Sequence, residues 1–268
     1  MRGTRIYRGT YLYLSNTGQT IQSKPSTKDL GVTMSSTGEF KEHIANIVDT
    51  VRDLTAWILR SFKSRSSHVM LFLWKVIVIP RIDYCSQLWS PAKAYLINQL
   101  EELQKQFIRR INGFKDMNYN DTLKKLQLYS LQRRRERYQI IYLWCILEEI
   151  YPNIQTDQNS CLIKLQSNIH SRRGRTLVTK NLPNSRFGNL RYNSLPFVGA
   201  RLFNVLPKSL RNLTSCGKIA FKTELDVFLK TVKDQPLPVS LNHFTQATSN
   251  SLATLLRCGE IVLGAHRQ

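Results

Sequence analysis

Carboxylates, thiols, imidazoles and guanidinium groups are the side chains through which this chain could act chemically. The first three lack useful spacing. Cys85, Cys145, Cys161, Cys216 and Cys258 are odd in number, and no two stand at a Cys-x-x-Cys spacing. Neither a zinc site nor a disulfide framework is expected, and single thiols among helical patterns read as small core residues. The five histidines are equally dispersed. None of the nine Asp residues is adjacent to another. The pairs Glu101-Glu102 and Glu148-Glu149 fall in helical patterns, where neighbouring side chains diverge by about 100°, so both read as solvated faces. There is no Walker loop. No catalytic residue, metal site or cofactor is expected.

The basic residues are different. Thirty-nine Lys and Arg against 18 Asp and Glu give a formal charge of +21 and a pI near 10.1. Residues 158–223 contain no acid and twelve Lys or Arg. A surface that needed only solubility would mix signs, so the expected partner is a polyanion: RNA, DNA or an RNA–DNA hybrid. Arg133, Arg134, Arg135 and Arg137 open a helix, where the dipole disfavours cations and phosphate oxygens would compensate. Arg172, Arg173 and Arg175 lie in "SRRGR", suited to sequence-independent backbone contact. Lys208 and Arg211 flank the Leu-Pro block "LPKSLRN" and join that set. Arg109 and Arg110 end a helix, where the dipole already favours them, and are read as structural. Arg5 and Arg8 lie on an N-terminal hairpin.

These residues need elements to hold them. "RIYRGTYLYL", the turn signal "NTG" and "QTIQ" outline a β-hairpin, and "KDLGVTM" reads as a short apolar strand. A lone hairpin is marginal, so a larger sheet is expected around it and the chain reads as beginning mid-domain. Ser36 with Glu39 matches a capping box. Ile44, Ile47, Val48, Val51, Leu54, Ile58 and Phe62 then mark one helix face. A second helix runs from near Ser67 and stops at Pro80. Ser90 and Pro91 open a third, carrying Leu96, Leu100, Leu103, Phe107 and Ile111 to Asn112-Gly113. A short helix covers Thr122 to Leu126, and Ser130 caps a long one over Leu131 to Ile150. Residues 156–191 read as a basic linker with a short β element. Helix returns over Leu195 to Leu206 and Lys218 to Val232. The fold class is therefore mainly α, with four regions: a hairpin (1–35), a helical domain (36–152) expected to fold by itself, a basic linker with a helical segment (153–233), and a poorly ordered tail (234–268). The longest apolar run, around Lys75, is too short to span a bilayer. The N-terminus has no apolar leader. An intracellular site, nucleus or cytoplasm, is expected, with no membrane partner.

An ordered set of blocks carries a resemblance: "KDLGV", "EHI", "VIPRIDYCSQLWSP", "LEELQKQFIRRINGF" and "LKKLQLYSLQRRRERYQIIYLWCIL", then "GARLFNVLPKSLRN" and "FKTELDVFL". The set resembles the reverse transcriptases of non-LTR retrotransposons, of the jockey-like and chicken-repeat-like group, over about residues 7–232. The resemblance implies that residues 1–35 are the end of the palm, that the helices from Glu42 to Tyr151 are thumb-like, and that the last blocks match a C-terminal signature with Phe203 in place of the usual Trp. In the corner Pro80–Pro91, Tyr84 and Trp89 are read as packing residues and Asp83 as the partner of Arg81 or of a distant arginine. The family's polymerases use an upstream Asp and an aromatic-Ala-Asp-Asp turn to hold two Mg²⁺ ions, and this chain has no such pair. The expectation is a fragment of an RNA-directed DNA polymerase that is non-catalytic by itself and binds nucleic-acid backbone, with the missing palm and fingers as further partners. The alternatives are a helical protein-interaction module and a truncated element copy with no selected function.

Overall fold

The structure is a computed structural model and describes residues 13–14, 20–21, 24–153, 163–179, 185–236 and 250–256. The described residues are mainly helical, with three two-stranded antiparallel ribbons among them. β1 (Tyr13–Leu14) pairs with β2 (Thr20–Ile21), as the N-terminal hairpin pattern requires; its turn, Arg5 and Arg8 lie outside the described residues. β3 (Ser26–Asp29) pairs with β4 (Val32–Ser35). "KDLGVTM" is thus not one strand. Leu30 and Gly31, with φ of 44° and 85°, make a two-residue turn in its middle, the geometry that matches strand twist. The Tyr84 hydroxyl donates to the Leu30 carbonyl (2.8 Å), holding this turn from across the fold.

α1 (Lys41–Ser61) buries Ile44, Ile47, Val48, Val51 and Ile58, the stripe its periodicity requires. Its start is not the Ser36–Glu39 box. Ser35 Oγ accepts from the Glu39 amide (3.1 Å) and donates to the Glu39 carbonyl (2.8 Å), which delays the helix to Lys41. α2 (Ser67–Leu73) does not stop at Pro80. It widens into a π-helical turn, Trp74–Val78, in which the Ile79 amide reaches the Trp74 carbonyl, and continues as α3 (Ile79–Asp83). A proline needs its i−4 carbonyl moved aside, and the wider turn does that. α4 (Ser86–Trp89) follows Cys85, which adopts φ 50°. Trp89 is buried and donates to the Tyr84 carbonyl (2.8 Å). α5 (Ala94–Ile108) begins three residues after Pro91 rather than at it. α6 (Tyr119–Lys125) precedes α7 (Leu131–Leu147), whose cap is Ser130 as expected: its Oγ accepts from the Arg133 amide.

Residues 163–179 and 185–191 of the linker region are packed structure; the rest of it lies outside the described residues. β5 (Leu165–Ser167) and β6 (Thr176–Leu177) form a ribbon, followed by α8 (Arg186–Tyr192), α9 (Leu195–Val205), α10 (Lys208–Arg211), α11 (Lys218–Thr231) and α12 (Leu252–Leu255). Two apolar cores result. One gathers α1 to α6 around Val51, Trp74, Trp89, Leu100 and Phe107. The other gathers Leu177, Phe203, Phe221, Leu225 and Leu252 around Ile140, Leu143 and Trp144. α7 carries residues of both: Leu131 lies in the first core, Ile140 to Ile146 in the second. No helix among the described residues is long and apolar enough to cross a membrane.

Candidate nucleic-acid interface

The arginines that open α7 point into the molecule. Arg133 is 0% exposed, and its Nη2 donates to the Lys233 and Asn250 carbonyls (3.0 and 3.2 Å). Arg135 is 2% exposed and makes no guanidinium hydrogen bond among the described residues. Burial lowers its pKa, while the charges of Glu101, Glu136 and Asp83 act the other way; a guanidinium keeps its proton regardless. Arg134 pairs with Asp83 (2.7 and 2.8 Å), the distant-arginine option for that aspartate. Arg137 grips Asp226 with two nitrogens (2.5 and 2.6 Å). Four cations read as one phosphate-facing set are therefore two interior side chains and two half-buried ion pairs.

Carboxylates of the chain occupy the place expected for phosphate. Asp234 accepts from the Ser130 amide and hydroxyl (both 2.8 Å). Glu101 accepts from the Leu131 amide (3.0 Å) and from the Tyr119 hydroxyl (2.6 Å). Free amides and a positive dipole end favour an anion or an acceptor oxygen at a helix start, and the fold supplies Asp234 and the Glu101 carboxyl. Burial raises the Glu101 pKa to about 7, offset in part by the Tyr119 hydrogen bond; the nearby Asp234 charge adds to the rise. Glu136, also buried and raised mainly by desolvation, accepts from the Leu252 amide (3.0 Å). Glu101 and Glu148 are accordingly not members of solvated faces. Neither is Asp234 part of a loose tail, since it and residues 250–256 close over α7; residues 237–249 and 257–268 lie outside the described residues.

The "SRRGR" set divides. Arg175 is 4% exposed, its Nη1 2.6 Å from Glu148 Oε1. Arg211, also buried, donates to the Arg175 and Leu206 carbonyls (2.5 and 2.9 Å). Asn212 accepts from the Arg175 amide (2.9 Å), and Asn204 clamps both main-chain groups of Leu177 (2.8 Å each). Gly174 turns the chain at φ 71° with Asn212 Oδ1 only 2.6 Å from where a Cβ would stand. These internal bonds hold a stiff ribbon whose tip leaves Arg172 and Arg173 exposed, with Lys208 beside them: its Nζ lies 3.5 Å from the Arg172 carbonyl. Of the nine basic residues singled out by sequence, the structure brings these three together at the surface. Arg109 and Arg110, read as structural, are also exposed and without an ion-pair partner among the described residues.

The residues missed by sequence are the acids: Glu101, Glu136, Glu148, Asp226 and Asp234. Each meets its partner across at least 27 positions of chain, so no local spacing announces them. Among the described residues no group of three His, Cys, Asp or Glu is placed to hold a metal ion. Comparison of the chain with known protein families, with curated proteins and with solved structures gives no match.

Proposed function

We propose that the chain is the end-of-palm, thumb-like and C-terminal part of a non-LTR retrotransposon reverse transcriptase, non-catalytic by itself, and that it binds the sugar–phosphate backbone of a template–primer duplex. The family part rests on the ordered sequence blocks. The binding part rests on one observation: folding takes acids inside together with arginines and leaves a basic cluster outside. Asp83, Glu101, Glu136, Glu148, Asp226 and Asp234 are buried or half-buried against arginines and helix amides, whereas Arg172, Arg173 and Lys208 are exposed and in no ion pair among the described residues. Six arginines (Arg133, Arg134, Arg135, Arg137, Arg175 and Arg211) are taken in with these six acids, so the excess of +21 stays on the remaining side chains, and such a field concentrates polyanions.

The test is an electrophoretic shift of an RNA–DNA hybrid by the full chain across salt. Log affinity should fall linearly with log salt, by about 0.9 per phosphate neutralised, with no base preference. The triple change Arg172→Ala, Arg173→Ala and Lys208→Ala should flatten that slope. Absence of hybrid binding at low salt would refute the reading. A second reading, a helical protein-interaction module, draws on Phe72 and Val76, which stand 60% and 54% exposed one turn apart; it predicts association that survives high salt.

A further inference from the structure

We propose that the end of the helical body where α1, α5 and α6 meet binds a single strand of RNA or DNA, phosphates on its cations and one base on Trp57. The proposal rests on the nucleic-acid reading above and adds to it a second surface with a different strand preference.

Three stretches converge there. Arg65 folds its guanidinium back onto the Leu59 and Phe62 carbonyls, capping α1. Its own carbonyl accepts from the Asn112 amide (2.9 Å), joining the loop after α1 to the turn after α5. Lys125, at the end of α6, lies 5.2 Å over the Phe114 ring. The side chains left outside include Arg60, Lys63, Arg109, Arg110, Lys115 and Lys124, all exposed and none in an ion pair among the described residues. Two carboxylates, Asp116 in the turn after α5 and Asp121 in the first turn of α6, share this end. Helix C-termini favour cations, but each carries only about half a negative charge. The dipoles of α1 and α5 therefore account for about one of these cations, and the remaining excess is unbalanced.

Trp57 adds the second element. It precedes Arg60 by one turn of α1, is 47% exposed, and meets Phe62 edge-on at 6.2 Å. Trp74, Trp89 and Trp144 are all at most 1% exposed. A broad aromatic ring held half in water, one turn from Arg60 and against Phe62 at the same end of α1, is the kind of platform used for unpaired nucleic acid, where bases stack and nearby cations take the phosphates. A duplex hides its base faces, and an acidic peptide has no use for the ring.

The same asymmetry provides the readout, because Trp57 is the one tryptophan of the four that a ligand in solution can reach. Short oligo(dT) or oligo(U) titrated into the full chain should quench part of the intrinsic fluorescence, with an affinity that falls with salt. Trp57→Ala should abolish the quench and weaken oligo(dT) binding at least about five-fold, the lower end for one stacked base. The triple change Arg109→Ala, Arg110→Ala and Lys124→Ala should lower the salt slope by roughly 0.7 for each phosphate no longer neutralised, with far-UV circular dichroism unchanged. Equal quenching by anionic phospholipid vesicles or by polyglutamate would overturn the proposal, as would parental affinity in Trp57→Ala. If the chain binds the RNA–DNA hybrid but not oligo(dT), this inference falls and the duplex reading stands. If it binds neither, both fall.

Discussion

At the scale of single residues, the opposing fates of like side chains give two predictions. Arg175 and Arg173 are two positions apart, yet one is buried against Glu148 and the other exposed. Removing one member of a buried pair leaves the other charge uncompensated, at a cost of about 3 kcal/mol or more. Arg175→Ala should therefore lower the melting temperature clearly, whereas Arg172→Ala with Arg173→Ala should change stability by no more than about 0.5 kcal/mol. Equal thermal melts for the two variants would contradict the placement of Arg175. Glu101 gives the second. Its carboxyl is raised to about 7 by burial from an ordinary 4.5, so the fold favours its neutral form. The group's contribution is then fully present below about pH 4.5 and is lost as pH rises through about 7, an effect on the order of a few kcal/mol. Glu101→Gln keeps an acceptor for the Leu131 amide but cannot ionise. Urea unfolding at pH 5 and pH 8 should show the Gln variant gaining on the parent as pH rises; a pH-independent difference would remove Glu101 as the cause.

At the scale of elements, the ribbon β5–β6 depends on one backbone position. Gly174 holds φ 71°, and an added Cβ would meet Asn212 Oδ1 at 2.6 Å and Lys208 Cγ at 2.9 Å. Lysine can move; Asn212 is fixed by its bond to the Arg175 amide. Gly174→Ala should thus cost roughly 1–3 kcal/mol through backbone strain and a displaced Asn212, read as a lowered melting temperature with faster amide exchange at Arg175 and Leu177. An unchanged exchange rate would show that the ribbon does not need this turn. What sequence discloses about elements follows from range. α1 and α5 are legible because their apolar residues recur at helical spacing over many turns, and α7 is legible from Ser130, because a cap bonds three residues on. The turn at Leu30-Gly31 is hidden because it places an apolar residue, 84% exposed, at positive φ, and is held by Tyr84 from 54 positions away. The passage through Pro80 is hidden because a π-helical turn leaves no mark in residue type. The candidate interface is legible only as charge. Which arginines face outward depends on where Glu148, Asp226 and Asp234 arrive, and that is set by tertiary packing.

At the scale of the whole molecule, α7 decides whether the chain is one folding unit or two. Sequence alone divides it near Pro152, since every regular helix pattern of the first part ends there. The packing opposes that division. Trp144 stacks on Phe221 at 4.4 Å and donates to the Leu213 carbonyl (2.9 Å), while Ile140, Ile141 and Leu143 lie in the core shared with α9 and α11. Arg133 takes its carbonyl acceptors from Lys233 and Asn250, and the first amide of the helix cap takes Asp234. A chain ending at Pro152 would expose that apolar face and strip Arg133 and Ser130 of their partners at the same helix. Uncovering a buried tryptophan and its neighbours costs several kcal/mol, against a total stability of about 5–15 kcal/mol. The fragment 36–152 should consequently lack a sharp thermal transition and a near-UV tryptophan signal, while the full chain melts in a single step. Circular dichroism of the two, side by side, is the measurement. A fragment that melts cooperatively near the parental temperature would show that the first core carries α7 unaided and that the C-terminal segment is an attachment to a finished fold.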